Sequence, residues 1–152
     1  MRVGVGDEIV GAIGTGLLAL VGIADGDGPA DARRLADKTA TLRIFPAGER
    51  PFERSVIDVG GSILCVSQFT LLGDLRRGNR PSWTAAAAPE AARGAIDAYI
   101  ARLHDHGLEV ATGVFGAHMH VALDNDGPVT VILDSRELMR PRRRPGVEGP
   151  GG

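Results

Sequence analysis

The alternation of apolar and polar residues divides much of the chain into short strands. Residues 3–13 alternate around the turn pair Gly6-Asp7, a pattern that predicts a short β-hairpin. Residues 17–23 are a continuous apolar run and are predicted to be a buried strand. A second strand is predicted over residues 63–68, which begin with the apolar run 63–66. Three more strands are predicted over residues 109–112, 119–123 and 129–133, the last two joined by a tight turn at Asn125-Asp126-Gly127.

Two segments instead place apolar residues at helical spacing, one beginning near Pro29 and one running from Pro89 to Gly107. The residues that set this spacing are Ala32, Leu35, Ala36 and Leu42 in the first segment and Ala92, Ile96, Tyr99, Ile100 and Leu103 in the second. Residues 46–61 and 73–83 are predicted to be loops. Two amphipathic helices among about seven strands predict a single small α/β domain, mostly antiparallel β-sheet.

The composition is that of a one-domain protein with a hydrophobic core, since the 152 residues are 43% apolar. No apolar run approaches the length of about 18 residues that a membrane-spanning helix needs. The N-terminus lacks the pattern of a secretory signal. The single cysteine, Cys65, lies in an apolar run and is predicted to be a buried thiol. Together these features predict a cytoplasmic protein without disulfides.

The net charge of −2 hides an asymmetry between the two ends of the chain. Residues 136–152 contain five Arg and two Glu, which leaves 12 basic and 17 acidic residues in residues 1–135. The acidic body argues against binding DNA or long RNA along a broad surface, although it allows capture of a nucleic-acid end. The Arg-, Pro- and Gly-rich segment 136–152 is predicted to be a disordered tail after a domain spanning residues 1–135. Its Arg142-Arg143-Arg144 cluster could contact RNA, but a solvated tail is the simpler interpretation.

Familiar catalytic and metal-binding patterns do not fit this sequence. His118 and His120 lie on one face of a predicted strand, but no third ligand has a suitable spacing for zinc, so no metal is predicted. Ser67 lacks the Gly-x-Ser-x-Gly context of a nucleophilic serine, although a Ser-His-Asp triad stays an alternative.

Two polar segments at strand boundaries are less easily explained. Ser67-Gln68-Phe69-Thr70-Leu71 ends a buried strand with hydroxyls and an amide, which in the simplest case cap backbone groups. Asn125-Asp126-Gly127-Pro128-Val129-Thr130 contains a Gly-Pro pair, whose simplest interpretation is an ordinary trans turn. Neither segment supplies a His, Cys, Lys or Glu that could act as a conventional acid, base or strong nucleophile.

In order along the chain, these two motifs and five further segments resemble the D-aminoacyl-tRNA deacylases, a proofreading family. The further segments are Gly11-Ala12-Ile13-Gly14, Gly16-Leu17-Leu18, Arg43-Ile44-Phe45, Gly78-Asn79-Arg80-Pro81-Ser82-Trp83 and Thr112-Gly113-Val114-Phe115-Gly116-Ala117. The resemblance covers roughly residues 3–135. It implies a homodimer with each active site at the dimer interface, no cofactor, and hydrolysis of the ester that joins a D-amino acid to the 3′ end of tRNA.

The resemblance also implies roles for the residues of both motifs. Gly127-Pro128 would be a cis dipeptide that enters the partner's pocket and excludes L side chains, flanked by Asn125, Val129 and Thr130 in the substrate-binding segment. Glycine has no side chain to exclude, so glycyl-tRNA, including glycine mischarged on tRNA(Ala), would also be hydrolysed.

In the first motif, the N–H groups of Phe69 and Thr70 would form an oxyanion hole. Ser67, Gln68 and Thr70 would position the aminoacyl group and the terminal adenosine. Attack by water assisted by the terminal ribose 2′-OH is favoured over Thr70 as a nucleophile, because the motif holds no base. Three loop arginines are candidates for phosphate contacts, against the alternative of solvated charge: Arg76, Arg77 and Arg80.

One departure from the family concerns the N-terminus. The family usually has a first strand with a Gln-Arg-Val segment before the part that matches Val3. The given sequence lacks this segment. A misplaced start codon and a real loss of the strand are the two expected explanations. Two alternatives stay open: a truncated, non-catalytic tRNA-binding homologue, and the related L-alanyl-tRNA deacylases, which carry a trans Gly-Pro.

Overall fold

The apolar run at residues 63–66 lies in the central strand of the protein. A computed structural model describes residues 1–141. The strands are β1 (Arg2–Val5), β2 (Glu8–Ala12), β3 (Gly16–Val21), β4 (Phe45–Ala47), β5 (Arg50–Arg54), β6 (Ser62–Ser67), β7 (Val110–Thr112) and β8 (His120–Ala122). A parallel sheet of order β3-β6-β7 lies at the centre, and a sheet of order β2-β1-β8 is antiparallel. The helices are α1 (Pro29–Thr41), α2 (Pro89–Asp105) and α3 (Ser135–Met139).

The four central residues of strand β6 are apolar and buried, on both faces of the sheet. Ile63 and Cys65 belong to the cluster that includes helices α1 and α2. Leu64 and Val66 pack on the other side against Val3 of the antiparallel sheet. Side chains of a strand alternate between the two faces of a sheet, so the domain has three layers: helices, parallel sheet and antiparallel sheet.

The helical layer is held by packing of α1 against α2 and by one buried polar contact. The Tyr99 hydroxyl donates to Thr39 Oγ1 at 3.0 Å, and burial raises the pKa of Tyr99 to about 12. Burial likewise raises the pKa of Cys65 to about 12, which confirms the predicted buried thiol and leaves it unreactive at neutral pH.

The two predicted helices are confirmed, and local sequence explains where they begin and end. Pro29 occupies the first turn of α1, and the Asp31 carboxylate accepts from the Gly28 N–H at 3.1 Å. Pro89 begins α2 in the same way, and Gly107 follows its end with a φ of 78°. The predicted hairpin at residues 3–13 is confirmed as β1 and β2.

The predicted antiparallel pairing holds for the β2-β1-β8 and β4-β5 sheets, whereas the central sheet is parallel. The β4-β5 hairpin lies within a segment predicted as loop. Its two prolines, Pro46 and Pro51, weaken the sequence signal for a strand. One side chain also links the two strands, because Arg54 Nε donates to the Pro46 carbonyl at 2.8 Å.

Two predictions near the C-terminus are wrong. Residues 129–133 were predicted as a strand, but the structure assigns no strand there, and Ile132 is 94% exposed. Residues 135–139 form α3, so the predicted disordered tail cannot begin at residue 136. The Asp134 carboxylate begins this helix by accepting from the Arg136 N–H at 2.8 Å. The rest of that predicted tail, from residue 142 to residue 152, lies outside the described residues.

Candidate active site

The first motif lies where strand β6 leaves the parallel sheet. The Gln68 N–H donates to the Val21 carbonyl at 2.8 Å, and the chain then enters a 3-10 turn over Phe69–Leu72. The Leu71 N–H donates to the Gln68 carbonyl, and the Gly73 N–H closes the turn on the Thr70 carbonyl, each at 3.2 Å. Because β3 and β6 are parallel, this turn stands at the carboxyl edge of the sheet, where ligands of α/β proteins commonly bind.

This turn leaves two backbone donors without a protein acceptor. Within residues 1–141, neither the Phe69 N–H nor the Thr70 N–H makes a backbone or side-chain hydrogen bond. The first N–H groups of a helical turn have no partner inside the turn. Both residues are exposed, so these two donors could receive a substrate oxygen.

The polar side chains of the motif contact one another. The Gln68 side-chain amide donates to the Thr70 hydroxyl, so Thr70 Oγ1 is bonded to a group that cannot accept its proton. Ser67 is half-buried, and its hydroxyl makes no hydrogen bond to a histidine in the described part of the chain. The geometry therefore shows no activated Ser or Thr nucleophile of the triad type among residues 1–141.

The three candidate arginines lie in the loop after the turn and differ in their contacts. Arg76 binds the Asp74 carboxylate through Nε at 2.8 Å and Nη2 at 2.6 Å. This contact holds the pKa of Asp74 well below its usual range. Arg77 and Arg80 are exposed and form no salt bridge with another described residue.

The second motif is an exposed loop closed by one asparagine. Asn125 Oδ1 accepts from the Val129 N–H at 3.2 Å, and Asn125 Nδ2 donates to Thr130 Oγ1 at 3.0 Å. Gly127 and Pro128, which lie between these bonds, are exposed and joined by a cis peptide bond. The trans turn expected as the simplest interpretation is therefore wrong.

The two motifs are not joined by polar contacts within the described part of one chain. No hydrogen bond or salt bridge among residues 1–141 joins residues 67–72 to residues 125–130. Large apolar side chains next to both motifs are exposed: Phe69 57%, Leu71 56%, Val131 48% and Ile132 94%. Such surface is typical of a site that another molecule covers.

Other candidate chemistry finds little support in the described residues. The His118 and His120 rings meet edge to face with centroids 5.3 Å apart. Across residues 1–141, no group of three or more His, Cys, Asp or Glu side chains is placed to hold a metal ion. The helices in this range are also too short or too polar to cross a bilayer.

Two residues that contact the first motif have no individual role predicted from the sequence. Trp83 packs edge to face against Phe69, and Gly73 lies directly beside the Trp83 ring. The available signal was that Trp83 is the only tryptophan of the chain and ends one of the segments of the resemblance.

Comparison with known proteins identifies the family. Residues 1–134 match the family model described as D-Tyr-tRNA(Tyr) deacylase. The chain is 56% identical over 140 residues to a protein named D-aminoacyl-tRNA deacylase from Roseiflexus sp. (strain RS-1), covering 92% of this chain and 90% of that relative.

Two solved structures resemble the fold. One, titled c-Myc DNA Unwinding Element Binding Protein, is 36% identical with a TM-score of 0.80, covering 88% of this chain and 91% of that one. A second, titled a probable eukaryotic D-amino acid tRNA deacylase, has a TM-score of 0.67 at 14% identity and covers 78% of this chain and 85% of that one, a likeness of fold alone. Because the family model matches residues 1–134 and the Roseiflexus relative is 56% identical, the chain belongs to the D-Tyr-tRNA(Tyr) deacylase family.

Proposed function

We propose that this protein hydrolyses the ester bond of D-aminoacyl-tRNA and releases the free D-amino acid and tRNA. The observation that carries this proposal is the turn at Phe69–Leu72, which presents two backbone N–H groups without a protein acceptor at the edge of the central sheet. Family membership and the name of a close relative give the substrate class. A carboxylic ester hydrolase of this kind needs no cofactor.

Ester hydrolysis develops negative charge on the carbonyl oxygen, and the N–H groups of Phe69 and Thr70 stabilise this oxyanion by donating hydrogen bonds to it. An oxyanion-hole donor of this type is worth about 3 kcal/mol of transition-state stabilisation. Ser67, Gln68 and Thr70 position the aminoacyl group and the terminal adenosine. Since the Thr70 hydroxyl bonds to the Gln68 amide, which cannot take up a proton, water assisted by the ribose 2′-OH is the attacking group.

Chiral selection is assigned to Gly127-Pro128. Main-chain carbonyl oxygens of this dipeptide point toward the substrate's α-carbon and collide with a side chain of the L configuration, so L-aminoacyl-tRNA is excluded. The exposed position of the dipeptide and the two hydrogen bonds of Asn125 support this role. Glycyl-tRNA has no side chain to exclude and is hydrolysed as well, including glycine mischarged on tRNA(Ala).

The complete site belongs to a homodimer, in which the dipeptide of one protomer enters beside Phe69 of its partner. Two features support this arrangement: the motifs share no hydrogen bond within the described part of one chain, and exposed apolar side chains flank both of them. Burial of such side chains favours association by about 25 cal/mol per Å² of apolar surface.

Arg77 and Arg80 are the proposed contacts to tRNA phosphates, whereas Arg76 serves the loop by binding Asp74. Phosphate contacts fix position without reading sequence, so the enzyme acts on many tRNAs.

Purified protein incubated with D-tyrosyl-tRNA and with L-tyrosyl-tRNA tests the proposal. Release of the D-amino acid alone supports it. Release of neither, with tRNA still bound, would favour a non-catalytic tRNA-binding protein. Hydrolysis of L-alanyl-tRNA without D-tyrosyl-tRNA would assign the chain to the related L-specific deacylases. A parallel reaction on tRNA ending in 2′-deoxyadenosine should be sharply slower if the ribose 2′-OH assists.

A further inference from the structure

The turn that carries the proposed oxyanion donors has little packing of its own. It contains no buried residue, and its side chains Phe69, Thr70 and Leu71 are all exposed. A short turn of this kind is held by contacts from outside, because side chains in solvent do not fix its orientation.

Trp83 contacts both ends of this turn. At its first residue, the Trp83 and Phe69 rings meet edge to face, with centroids 5.5 Å apart and an interplanar angle of 78°. This geometry is the favourable one for an aromatic pair. At its end, a Cβ added to Gly73 would lie 2.5 Å from Trp83 Cζ3, so the ring lies against the Gly73 backbone.

The glycine at position 73 is required by this contact and not by its backbone conformation. Gly73 has φ of −64° and ψ of 125°, values that any residue adopts. A side chain there would displace the tryptophan ring. The presence of Gly73 is therefore explained by the space that Trp83 occupies.

Trp83 is itself anchored by the loop from Asp74 to Ser82. Asp74 and Ser82 exchange two backbone hydrogen bonds of 2.8 and 3.0 Å, and the Trp83 carbonyl accepts from the Ala86 N–H at 3.0 Å. The closed loop therefore holds the Trp83 backbone in place, and the Trp83 ring contacts the adjacent turn.

We propose that Trp83 is the positioning residue that holds the Phe69–Leu72 turn so that the Phe69 and Thr70 N–H groups keep a fixed direction. It touches no reacting atom in this scheme. The inference rests on the proposed function for its effect on catalysis, but not for its effect on the stability of the turn. Loss of the ring should lower kcat about tenfold or more and leave KM within about twofold, because misplaced catalytic groups slow the chemical step.

Four variants test this in steady-state hydrolysis of D-tyrosyl-tRNA: Trp83→Ala, Trp83→Phe, Gly73→Ala and the double variant. Trp83→Phe should restore kcat to within about threefold of wild type, since a smaller aromatic ring keeps the edge-to-face contact. Gly73→Ala should be harmful alone, yet add little in the Trp83→Ala background, where the ring no longer occupies the space. Thr84→Ser, a change of an exposed neighbour that keeps the hydroxyl 3.4 Å from Ser82 Oγ, is the matched control and should keep wild-type kcat.

Amide hydrogen exchange at Leu71 and Gly73, whose N–H groups close the turn on the Gln68 and Thr70 carbonyls, followed by NMR, keeps the inference separate from the proposed function. Both amides should exchange faster in Trp83→Ala and at wild-type rates in Thr84→Ser. Unchanged exchange in a folded Trp83→Ala protein, or equal effects of Gly73→Ala in both backgrounds, would overturn the inference even if the wild type is active. A wild type without deacylase activity would refute the proposed function, while the exchange result would still decide the role of Trp83.

Discussion

Asn125 offers a direct test of how the exposed dipeptide loop works, because its amide makes both hydrogen bonds that span Gly127-Pro128. Asn125→Ala removes the bond to the Val129 N–H and the bond to the Thr130 hydroxyl. Thr130→Val removes only the second and keeps nearly the same side-chain shape. Thr130→Ser keeps the hydroxyl and is the matched control.

The expected magnitudes follow from the number of bonds lost. A neutral hydrogen bond contributes about 1 kcal/mol net. A change of 1.36 kcal/mol is about tenfold in rate, so Thr130→Val should lower kcat/KM for D-tyrosyl-tRNA about fivefold and Asn125→Ala about thirtyfold. Both side chains are exposed, so these values are upper values. The double variant should match Asn125→Ala, because one contact cannot be lost twice.

The assay is initial-rate hydrolysis with melting curves on the same samples. Since each bond contributes at most about 1 kcal/mol to stability, the melting temperature should fall by no more than about 4 °C in Thr130→Val and about 8 °C in Asn125→Ala. A folded Asn125→Ala protein with kcat/KM within about twofold of wild type would show that the amide does not hold the loop. Fully additive losses in the double variant would show that the Asn125–Thr130 bond is absent in solution.

Four further predictions follow. Thr70→Ala should retain substantial hydrolysis, and near-total loss in a folded variant would make Thr70 the nucleophile. Arg77→Ala should weaken tRNA binding and reduce the slope of log affinity against log salt by about one, while Arg76→Ala should not alter that slope. Ile132→Asp should convert a dimer to monomers in light scattering, and an unchanged mass would argue against an interface there. Hydrogen bonds from Arg102, and to a lesser extent from His106, lower the pKa of Asp37. The Asp37 carboxylate therefore stabilises the fold above about pH 4, and this stabilisation is lost as the pH falls further. Asp37→Asn should make the melting temperature less dependent on pH below about pH 4.

The parts of the fold that were predicted correctly are those that local burial determines. The hairpin at residues 3–13 and both long helices follow from apolar spacing and from Pro or Gly at their ends. The parallel pairing of β3 with β6 was not predicted, although residues 17–23 and 63–66 are continuous apolar runs, the pattern of strands buried on both faces. The β4-β5 hairpin was missed because its prolines favour loop over strand.

The candidate site was predictable as two motifs but not as a geometry. Their residue types show hydroxyls, an amide and a Gly-Pro pair at strand boundaries. The Asn125 bonds cross four and five residues and depend on the loop conformation, so no spacing rule reveals them. The contact of Trp83 with Gly73 joins residues ten positions apart through a loop whose closure is a tertiary property.

The failed strand prediction at residues 129–133 has a physical reason that bears on function. Val131 and Ile132 have the composition of a buried strand, yet they are 48% and 94% exposed in the single chain. Burying a side chain of this size is worth about 1.5–3 kcal/mol, so the segment gains by being covered. Pro128 lies only three residues before Val131, and whatever covers the apolar segment must lie close to the dipeptide as well. A second protomer that covers this segment would therefore receive Gly127-Pro128, which is the arrangement that the proposed chiral selection needs.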